Sequence, residues 1–252
     1  MMLKRPRLSE AARAGNKSYS PPSILIFMRS MVLVSNAAMK SLTARTSPDT
    51  AGDMIYSRVF GGLGNQLFQY AAARAVSLRL GTELVLDTRL AAPGSHWACG
   101  LLRQLTRKMR NIADHIAGAG HSVSLHMRRG DYLGTSKSNA TYATCDEAYY
   151  LRALAKLSEG GRDIKVFVFS DDPEWVRENL KLPYDTTAVG HNGPDLRLMS
   201  CCTDHVIANS TFSWWGGWLD RRPDARVVGP AKWFNDPKLV NPDILPDRWI
   251  AV

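Results

Sequence analysis

The sequence predicts an α/β fold with parallel sheets, and two observations support that prediction. From residue 54 onward, short apolar runs typical of strands alternate with amphipathic stretches typical of helices. This alternation indicates β-α units in which helices cover a parallel sheet. The chain has 252 residues, 45% of them hydrophobic, which suits one large domain or two small ones with proper cores. We predict α/β halves at residues 54–120 and 121–252, after a basic extension at residues 1–53 that is disordered or non-native.

The first half begins with one β-α-β unit. Residues 55–60 are predicted to form a strand, residues 61–64 a tight glycine loop, and residues 65–80 a helix whose apolar positions recur with a 3.6-residue period. Gly81 is suited to end that helix, because glycine adopts the left-handed conformation without strain. A second strand at residues 83–86 ends at Asp87.

The second half repeats the same alternation more regularly. An apolar run that is not interrupted by polar residues, such as the one after residue 165, indicates a strand buried on both faces. Asp146 and Pro173 are residue types that begin helices. The predicted strands are residues 123–125, 165–169, 187–189, 205–208 and 225–228, and the predicted helices are residues 146–157, 173–179, 195–202 and 213–219.

Charge and cysteine content restrict the class of protein. The net charge of +9 favours an anionic partner such as a nucleotide, a nucleic acid or a membrane surface. Much of the excess lies in residues 1–53, so it says little about a site. The four cysteines show no CxxC pair, which argues against a zinc site or disulfide scaffold and favours a cytoplasmic location. The basic charge is also compatible with peripheral contact at the inner membrane.

The glycine loop is the first region that suggests a binding site. Gly62 and Gly64 lie between a strand and a helix, where free backbone N–H groups favour anions. A dinucleotide-binding loop is the main alternative, because Asp87 lies near the sequence spacing at which such loops have their ribose-binding carboxylate. Leu67, however, stands where the third glycine of that motif is needed. A plain tight turn is the third interpretation. Asn65 either bonds sugar hydroxyls or caps the helix.

Two adjacent arginines follow the strand at residues 123–125. His126, Arg128 and Arg129 come directly after it, and the carboxyl ends of parallel strands form the edge where ligands bind. Neighbouring guanidinium groups are suited to clamp an anion such as a diphosphate. The alternative is a surface charge cluster without a ligand.

Polar residues follow two further strands. Asp171 and Asp172 are suited to accept paired N–H donors from a guanine edge, or to bond a ribose hydroxyl, although one of them also fits as a helix cap ahead of Pro173. Ser210 and Thr211 place hydroxyl and N–H groups at a helix start, which suits a phosphate. Three tryptophans in the next helix are predicted to pack in the core: Trp214, Trp215 and Trp218.

These segments together give the chain a specific resemblance. It resembles the bacterial α-1,2-fucosyltransferases of glycosyltransferase family 11, through residues 58–72, 126–132, 167–172 and 209–216, which occur in the family's order. The resemblance implies a GT-B-like fold with two Rossmann-type halves. It also implies transfer of L-fucose, with inversion, from GDP-L-fucose to a galactoside hydroxyl of a surface glycan in α-1,2 linkage. Neither an obligatory metal nor another cofactor is implied.

The same resemblance assigns roles around the donor. Arg128 and Arg129 are placed at the GDP phosphates, with Arg129 as a catalytic residue that stabilises the leaving group. His126 contacts the nucleotide or orients an arginine. Ser210 and Thr211 touch the diphosphate.

The remaining roles concern the nucleoside and the reacting sugar. Asp171 or Asp172 faces the nucleoside, and Asn65 lies across the cleft near the sugar. Asp131 is a general-base candidate by position alone.

The chain departs from the family pattern in two respects. The extension at residues 1–53 has no counterpart in the family pattern, and the first half differs in length. Only about 34 residues separate Asp87 from Ser122, so the first half is shortened. A non-catalytic GDP-sugar-binding remnant is therefore the second hypothesis, and an NAD-dependent oxidoreductase is the third. Nucleic-acid binding is disfavoured, because the aromatic residues are not interleaved with arginines as a stacking surface requires.

Overall fold

The computed structural model describes residues 54–89, 107–129, 143, 145–190, 195–239 and 241–252. The predicted extension at residues 1–53 lies outside them. The first half contributes a two-stranded parallel sheet of β1 (Met54–Arg58) and β2 (Glu83–Asp87), joined by helix α1 (Leu63–Leu80). This is the predicted β-α-β unit.

The second half forms a six-stranded sheet in which all neighbouring strands are parallel. The predicted parallel α/β fold is therefore confirmed, with a small first sheet and a large second one. In chain order the elements are α2 (Arg107–Ala117), β3 (Ser122–Met127), α3 (Glu147–Leu157), β4 (Lys165–Ser170), α4 (Pro173–Asn179), β5 (Asp185–Gly190), α5 (Asp195–Met199), β6 (Asp204–Val206), α6 (Thr211–Trp218), β7 (Val227–Gly229) and β8 (Ile250–Ala251). The strand order is β5-β4-β3-β6-β7-β8.

The central strands are buried on both faces, as the uninterrupted apolar run after residue 165 predicts. Side chains alternate along β4, so Phe167 and Phe169 join the apolar cluster on one face while Val166 and Val168 join the cluster on the other. All four side chains are fully buried. Because both clusters pack on one sheet, the positions at the ends of its strands are held rigidly.

Local signals place several helix ends correctly. Gly81 ends α1 in the left-handed conformation, with φ of 67°. Asp146 caps α3 by accepting a hydrogen bond from the Tyr149 N–H at 2.8 Å. The start of α1, however, is at Leu63 with Gly62 as its cap. The alternative in which Asn65 caps that helix is therefore wrong, because Asn65 already lies inside the first turn.

Several other boundaries differ from the predicted ones by one to three residues, and those of β3, β6 and α5 are examples. Strand β3 continues past residue 125, because its pairing with β4 runs on to Met127 opposite Ser170. Strand β6 ends at Val206 rather than residue 208, and α5 ends at Met199 rather than residue 202. These shifts place His126 inside a strand and put residues 207–209 in an extended loop.

Helices α1 and α6 join the two halves of the molecule. Gly64 lies so close to α6 that an added Cβ atom would be 2.5 Å from the Phe212 nitrogen. The Trp215 indole N–H donates to the Gly64 carbonyl at 3.1 Å. Phe68 packs against Trp214 and Trp215 with ring centroids 4.8 and 4.9 Å apart. The predicted core packing of Trp214 and Trp215 is confirmed, and Trp218 is half-buried against the same cluster.

Among the described residues, no helix combines the length and the hydropathy that a membrane span requires.

Candidate functional site

The polar residues predicted for a site converge at one edge of the large sheet. Strand β3 is hydrogen-bonded to β4 on one side and to β6 on the other. The segments that leave the carboxyl ends of these three parallel strands therefore start side by side. They carry residues 128–129, 171–172 and 209–211, and this edge is where parallel α/β sheets bind ligands.

Arg129 is held from three directions. Its backbone N–H donates to Asp171 Oδ1 at 2.9 Å. Its guanidinium carbon lies 3.2 Å from the centroid of the Trp175 ring, which is a cation–π contact. Its Nε atom is 3.7 Å from Asp172 Oδ2, an ion pair without a hydrogen bond. The side chain is 20% exposed, although its Nε atom is buried, so Arg129 is mostly enclosed by these contacts and keeps some surface at the sheet edge.

Asp172 performs the capping role that the sequence offered as an alternative. Its Oδ1 atom accepts a hydrogen bond from the Trp175 N–H at 3.1 Å, and Pro173 occupies the first turn of α4. Asp172 thus caps helix α4, and both Asp171 and Asp172 contact Arg129. The role of Asp171 or Asp172 at a nucleoside stays a prediction.

His126 lies inside β3 and is 3% exposed. Its ring centroid is 5.6 Å from that of Phe212, at the start of α6, and its carbonyl accepts a hydrogen bond from the Tyr150 hydroxyl at 3.2 Å. Arg128 follows at the end of the strand and is half-buried. The structure therefore brings His126, Arg128 and Arg129 to one strand end, as predicted, although the histidine is more deeply buried than its sequence position suggested.

Ser210 and Thr211 begin helix α6. Ser210 is the cap residue, is 4% exposed, and its hydroxyl makes no capping hydrogen bond. The first N–H groups of a helix have no partner within the helix, so they and the serine hydroxyl form a polar surface beside the end of β6.

Asn209 is a structural residue that the sequence reasoning did not single out as part of the site. It is buried, and its Nδ2 atom donates to the carbonyls of Trp233, at 3.3 Å, and Ala143. These bonds fix the loop that presents Ser210 and Thr211. The available signal was an asparagine directly after a buried strand, a position where an amide can satisfy backbone groups.

The first half contributes to the same edge through the start of α1. The Thr211 hydroxyl donates to Asn65 Oδ1 at 2.9 Å, across the boundary between the halves. Gly64 serves close packing against α6, whereas nothing lies within 4 Å of a Cβ atom added at Gly62. The positive φ of this loop, 78°, belongs to Gly61. Asn65 and Thr211 are thus brought together. The left-handed backbone conformation belongs to Gly61, which was predicted as part of the loop but, unlike Gly62 and Gly64, was given no binding role.

Two predicted features remain. Asp131 lies outside the described residues. Asp87 forms ion pairs with Arg58 at 3.1 Å and Arg89 at 2.8 Å. Hydrogen bonds from Arg89, helped by Arg58, hold the pKa of Asp87 well below its usual range.

Within the described ranges, no group of three or more His, Cys, Asp or Glu side chains is arranged to hold a metal ion. The described cluster at this edge consists of arginines, the carboxylates of Asp171 and Asp172, and the hydroxyls of Ser210 and Thr211.

Comparison with known proteins identifies the family of the chain. The model of the family described as "Glycosyl transferase family 11" matches residues 98–252, more than half of the chain. The chain is 36% identical over 138 residues to an alpha-1,2-colitosyltransferase of Escherichia coli, covering 52% of this chain and 48% of that protein. It is 34% identical over 138 residues to the O-antigen biosynthesis glycosyltransferase WbnK of Escherichia coli, covering 52% and 44%.

A mammalian relative matches more weakly. The rat galactoside alpha-(1,2)-fucosyltransferase 1 is 26% identical over 103 residues, which cover 38% of this chain and 27% of that protein. No solved structure matches the chain. The aligned part of the chain spans about half the length of the two bacterial relatives.

Proposed function

The chain belongs to glycosyltransferase family 11, and we propose that it transfers L-fucose from GDP-L-fucose to a galactoside hydroxyl of a surface glycan. The linkage we propose is α-1,2, formed with inversion at the anomeric carbon. Relatives named for α-1,2 transfer of colitose or fucose support this choice. The observation that carries the proposal is the Arg129 guanidinium held over the Trp175 ring at the carboxyl edge of the sheet.

The proposed donor site uses the charges of this edge. Arg128 and Arg129 face the diphosphate, while Ser210 and Thr211 supply hydroxyl and backbone N–H donors. As the bond to fucose breaks, negative charge grows on the departing GDP. A cation that is already fixed in place stabilises this charge more in the transition state than in the ground state, which is the requirement for catalysis.

The acceptor side of the proposed site starts at Asn65. Its hydrogen bond with Thr211 holds it beside the donor residues, so its side-chain amide lies within the region where the reacting sugar is expected. Inverting transfer also calls for a base that removes the acceptor proton. Asp131 is proposed for this step from its position after the arginines.

A GDP-sugar-binding protein without transferase activity is the second candidate, and the unequal halves favour it. The described part of the first half (residues 54–120) holds a two-stranded sheet, whereas the second half (residues 121–252) holds six strands. A donor half of this size is suited to bind a nucleotide sugar even where the acceptor half is reduced.

Dinucleotide binding is less well supported by the same geometry. Thr211 and Phe212 occupy the space at Gly64 where a pyrophosphate would approach the glycine loop. Both carboxylate oxygens of Asp87 already accept hydrogen bonds from arginines rather than standing ready for a ribose.

Calorimetric titration with GDP and GDP-L-fucose tests the proposal, followed by a transfer assay with a galactoside acceptor. We expect Arg129→Ala to lower turnover by about 10²–10³, by analogy with removal of an oxyanion donor, and to weaken GDP binding. The matched control is Arg177→Ala, which removes the same charge from an exposed position on α4 and should behave as wild type.

The outcomes separate the two candidates. Saturable GDP binding with fucose transfer supports the transferase. GDP binding without transfer to any galactoside supports the binding remnant. A folded protein that binds neither GDP nor GDP-L-fucose contradicts both.

A further inference from the structure

Trp175 is the residue that the structure adds to the arginine clamp. Its ring is half-buried, and it packs against the apolar cluster that also contains Val166 and Val168. The guanidinium of Arg129 lies over the ring, 3.2 Å from its centroid. The ring is thus supported by the core and also carries a cation at the sheet edge.

Each contact around Arg129 restrains a different part of the residue. Asp171 fixes the backbone through the N–H of Arg129, and Asp172 attracts the Nε side of the guanidinium. Neither contact sets the plane of the guanidinium, because one acts on the main chain and the other is a 3.7 Å ion pair without a hydrogen bond. A ring face does set that plane, since a planar cation stacks parallel to it.

The plane matters for the ligand that this arginine would bind. An arginine fork recognises phosphate through parallel N–H···O bonds, so its orientation decides whether two bonds form or one. A free arginine side chain loses rotamer entropy when it binds a ligand, and less is lost when the side chain is already held in place. A supported aromatic platform therefore improves diphosphate binding without touching the ligand.

The platform is also coupled to the rest of the site. The Trp175 N–H donates to Asp172 Oδ1, and Oδ2 of the same carboxylate lies 3.7 Å from Arg129 Nε. The ring and the carboxylate that flank the guanidinium are therefore fixed to each other at the first turn of α4.

We propose that Trp175 is a positioning residue that fixes the plane of the Arg129 guanidinium for binding the diphosphate of the donor. This inference deepens the proposed function and depends on it. It does not require Trp175 to contact the nucleotide.

The first test replaces the Trp175 ring by another aromatic ring or by an aliphatic side chain. GDP affinity is measured by calorimetry for wild type, Trp175→Phe and Trp175→Leu, with thermal unfolding as the folding control. We expect Trp175→Leu to weaken GDP binding by about threefold to thirtyfold, the range of a cation–π contact. Trp175→Phe should recover most of that loss. Trp175→Met supplies the same comparison if the leucine variant does not fold.

A mutant cycle with Arg129→Lys separates positioning from general packing. Lysine keeps the charge but is a flexible point charge without a plane to orient. Trp175→Leu should therefore cost clearly less GDP affinity in the Arg129→Lys background than in wild type. Equal costs in the two backgrounds would overturn the inference, because they would show that the ring acts through packing.

The result for Arg129→Ala distinguishes failure of the inference from failure of the proposed function. If Arg129→Ala loses GDP binding while Trp175→Leu binds GDP like wild type, the arginine clamp stands and the role of Trp175 is refuted. If wild type does not bind GDP, or Arg129→Ala binds it normally, both proposals fall together.

Discussion

Charged side chains are paired differently at the two ends of the strands in the six-stranded sheet, which we call its amino edge and its carboxyl edge. At the amino edge, Asp204 is almost completely buried and accepts hydrogen bonds from the Arg226 N–H and Nε at 2.8 and 3.0 Å. His121 also contacts it, with Nε2 2.8 Å from Oδ2. At the carboxyl edge, by contrast, Arg129 faces its carboxylate across 3.7 Å and keeps an accessible surface. Charges at the first edge are paired through close hydrogen bonds, whereas Arg129 at the second edge lies 3.7 Å from its carboxylate and is proposed to bind a ligand.

A second buried network lies in the interior of the same sheet. His205 is fully buried, with Nδ1 2.8 Å from Ser124 Oγ and Nε2 2.8 Å from Asp220 Oδ2. Arg222 donates to Asp220 from both its backbone and its side chain. Serine, histidine and aspartate in this order are the residue types of a nucleophilic triad. Because Ser124 is fully buried, no substrate can reach it, and the network serves the fold.

The comparison shows that perturbed ionisation alone does not locate the functional site. Burial acts to raise the pKa of Asp220, but hydrogen bonds from His205 and Arg222 outweigh burial and hold that pKa below its usual range. For Asp204, burial likewise acts to raise the pKa, and the bonds from Arg226 and His121 lower it on balance. Strong pKa shifts are common at active sites, yet the shifts of Asp204 and Asp220 belong to buried networks at the amino edge and in the interior of the sheet, away from the candidate site.

Removal of Asp220 should have the largest effect on stability among the variants proposed for this comparison. Asp220→Ala leaves the fully buried His205 without its acceptor, while Arg222 is 42% exposed and can turn to solvent. Loss of one partner of a buried pair costs about 3–5 kcal/mol. We expect the free energy of unfolding, measured in urea, to fall by that amount. Asp224→Ala is the matched control, since this exposed carboxylate lies four residues further along the chain. A change below about 1 kcal/mol in both variants would show that the network contributes little.

The contact between the two halves should be the next most sensitive feature. In Gly64→Ala the new methyl group would lie 2.5 Å from backbone atoms of Thr211 and Phe212, and backbone cannot yield as a flexible side chain can. We expect a loss of about 1–3 kcal/mol in the free energy of unfolding. Gly118→Ala is the control, because its nearest neighbour would be an ordinary 3.4 Å away. Equal stability of the two variants would contradict the close packing of α1 on α6.

Local signals explain why much of the fold was predictable. The apolar run of β4, the left-handed Gly81 and the caps Asp146 and Asp172 depend on a few neighbouring residues, and the structure confirms each of them. The carboxyl edge was predictable too, because parallel strands place the segments that follow them side by side. The family resemblance added the roles of the arginines, which geometry alone does not assign.

The parts that were not predicted depend on packing between distant segments. Ser124 and His205 are 81 residues apart in sequence, and they meet only because β3 and β6 pair in that register. The contact of Trp175 with Arg129 likewise depends on how α4 packs beside the end of β3. No local pattern in the sequence encodes such contacts.

Acid pH provides the smallest and most selective perturbation of the two edges. A carboxyl whose folded pKa lies below its unfolded value of about 3.9 stabilises the protein above that pH, and this contribution is lost as the pH falls toward the folded pKa. The directions for Asp204 and Asp220 therefore predict a free energy of unfolding that is nearly constant from pH 7 to about 5 and decreases below about 4.

A pair of variants tests whether the loss of stability at acid pH comes from buried carboxylates such as Asp204. Asp204→Asn removes one titrating group and should make the acid decrease shallower. Asp87→Asn is the comparison, because the pKa of Asp87 is also lowered but its ion pairs lie in solvent, where screening leaves little contribution to stability. We expect Asp87→Asn to follow the wild-type profile. If instead it flattened the profile as much as Asp204→Asn, stabilising charge would be spread over the surface, and the contrast between a satisfied edge and a binding edge would not hold.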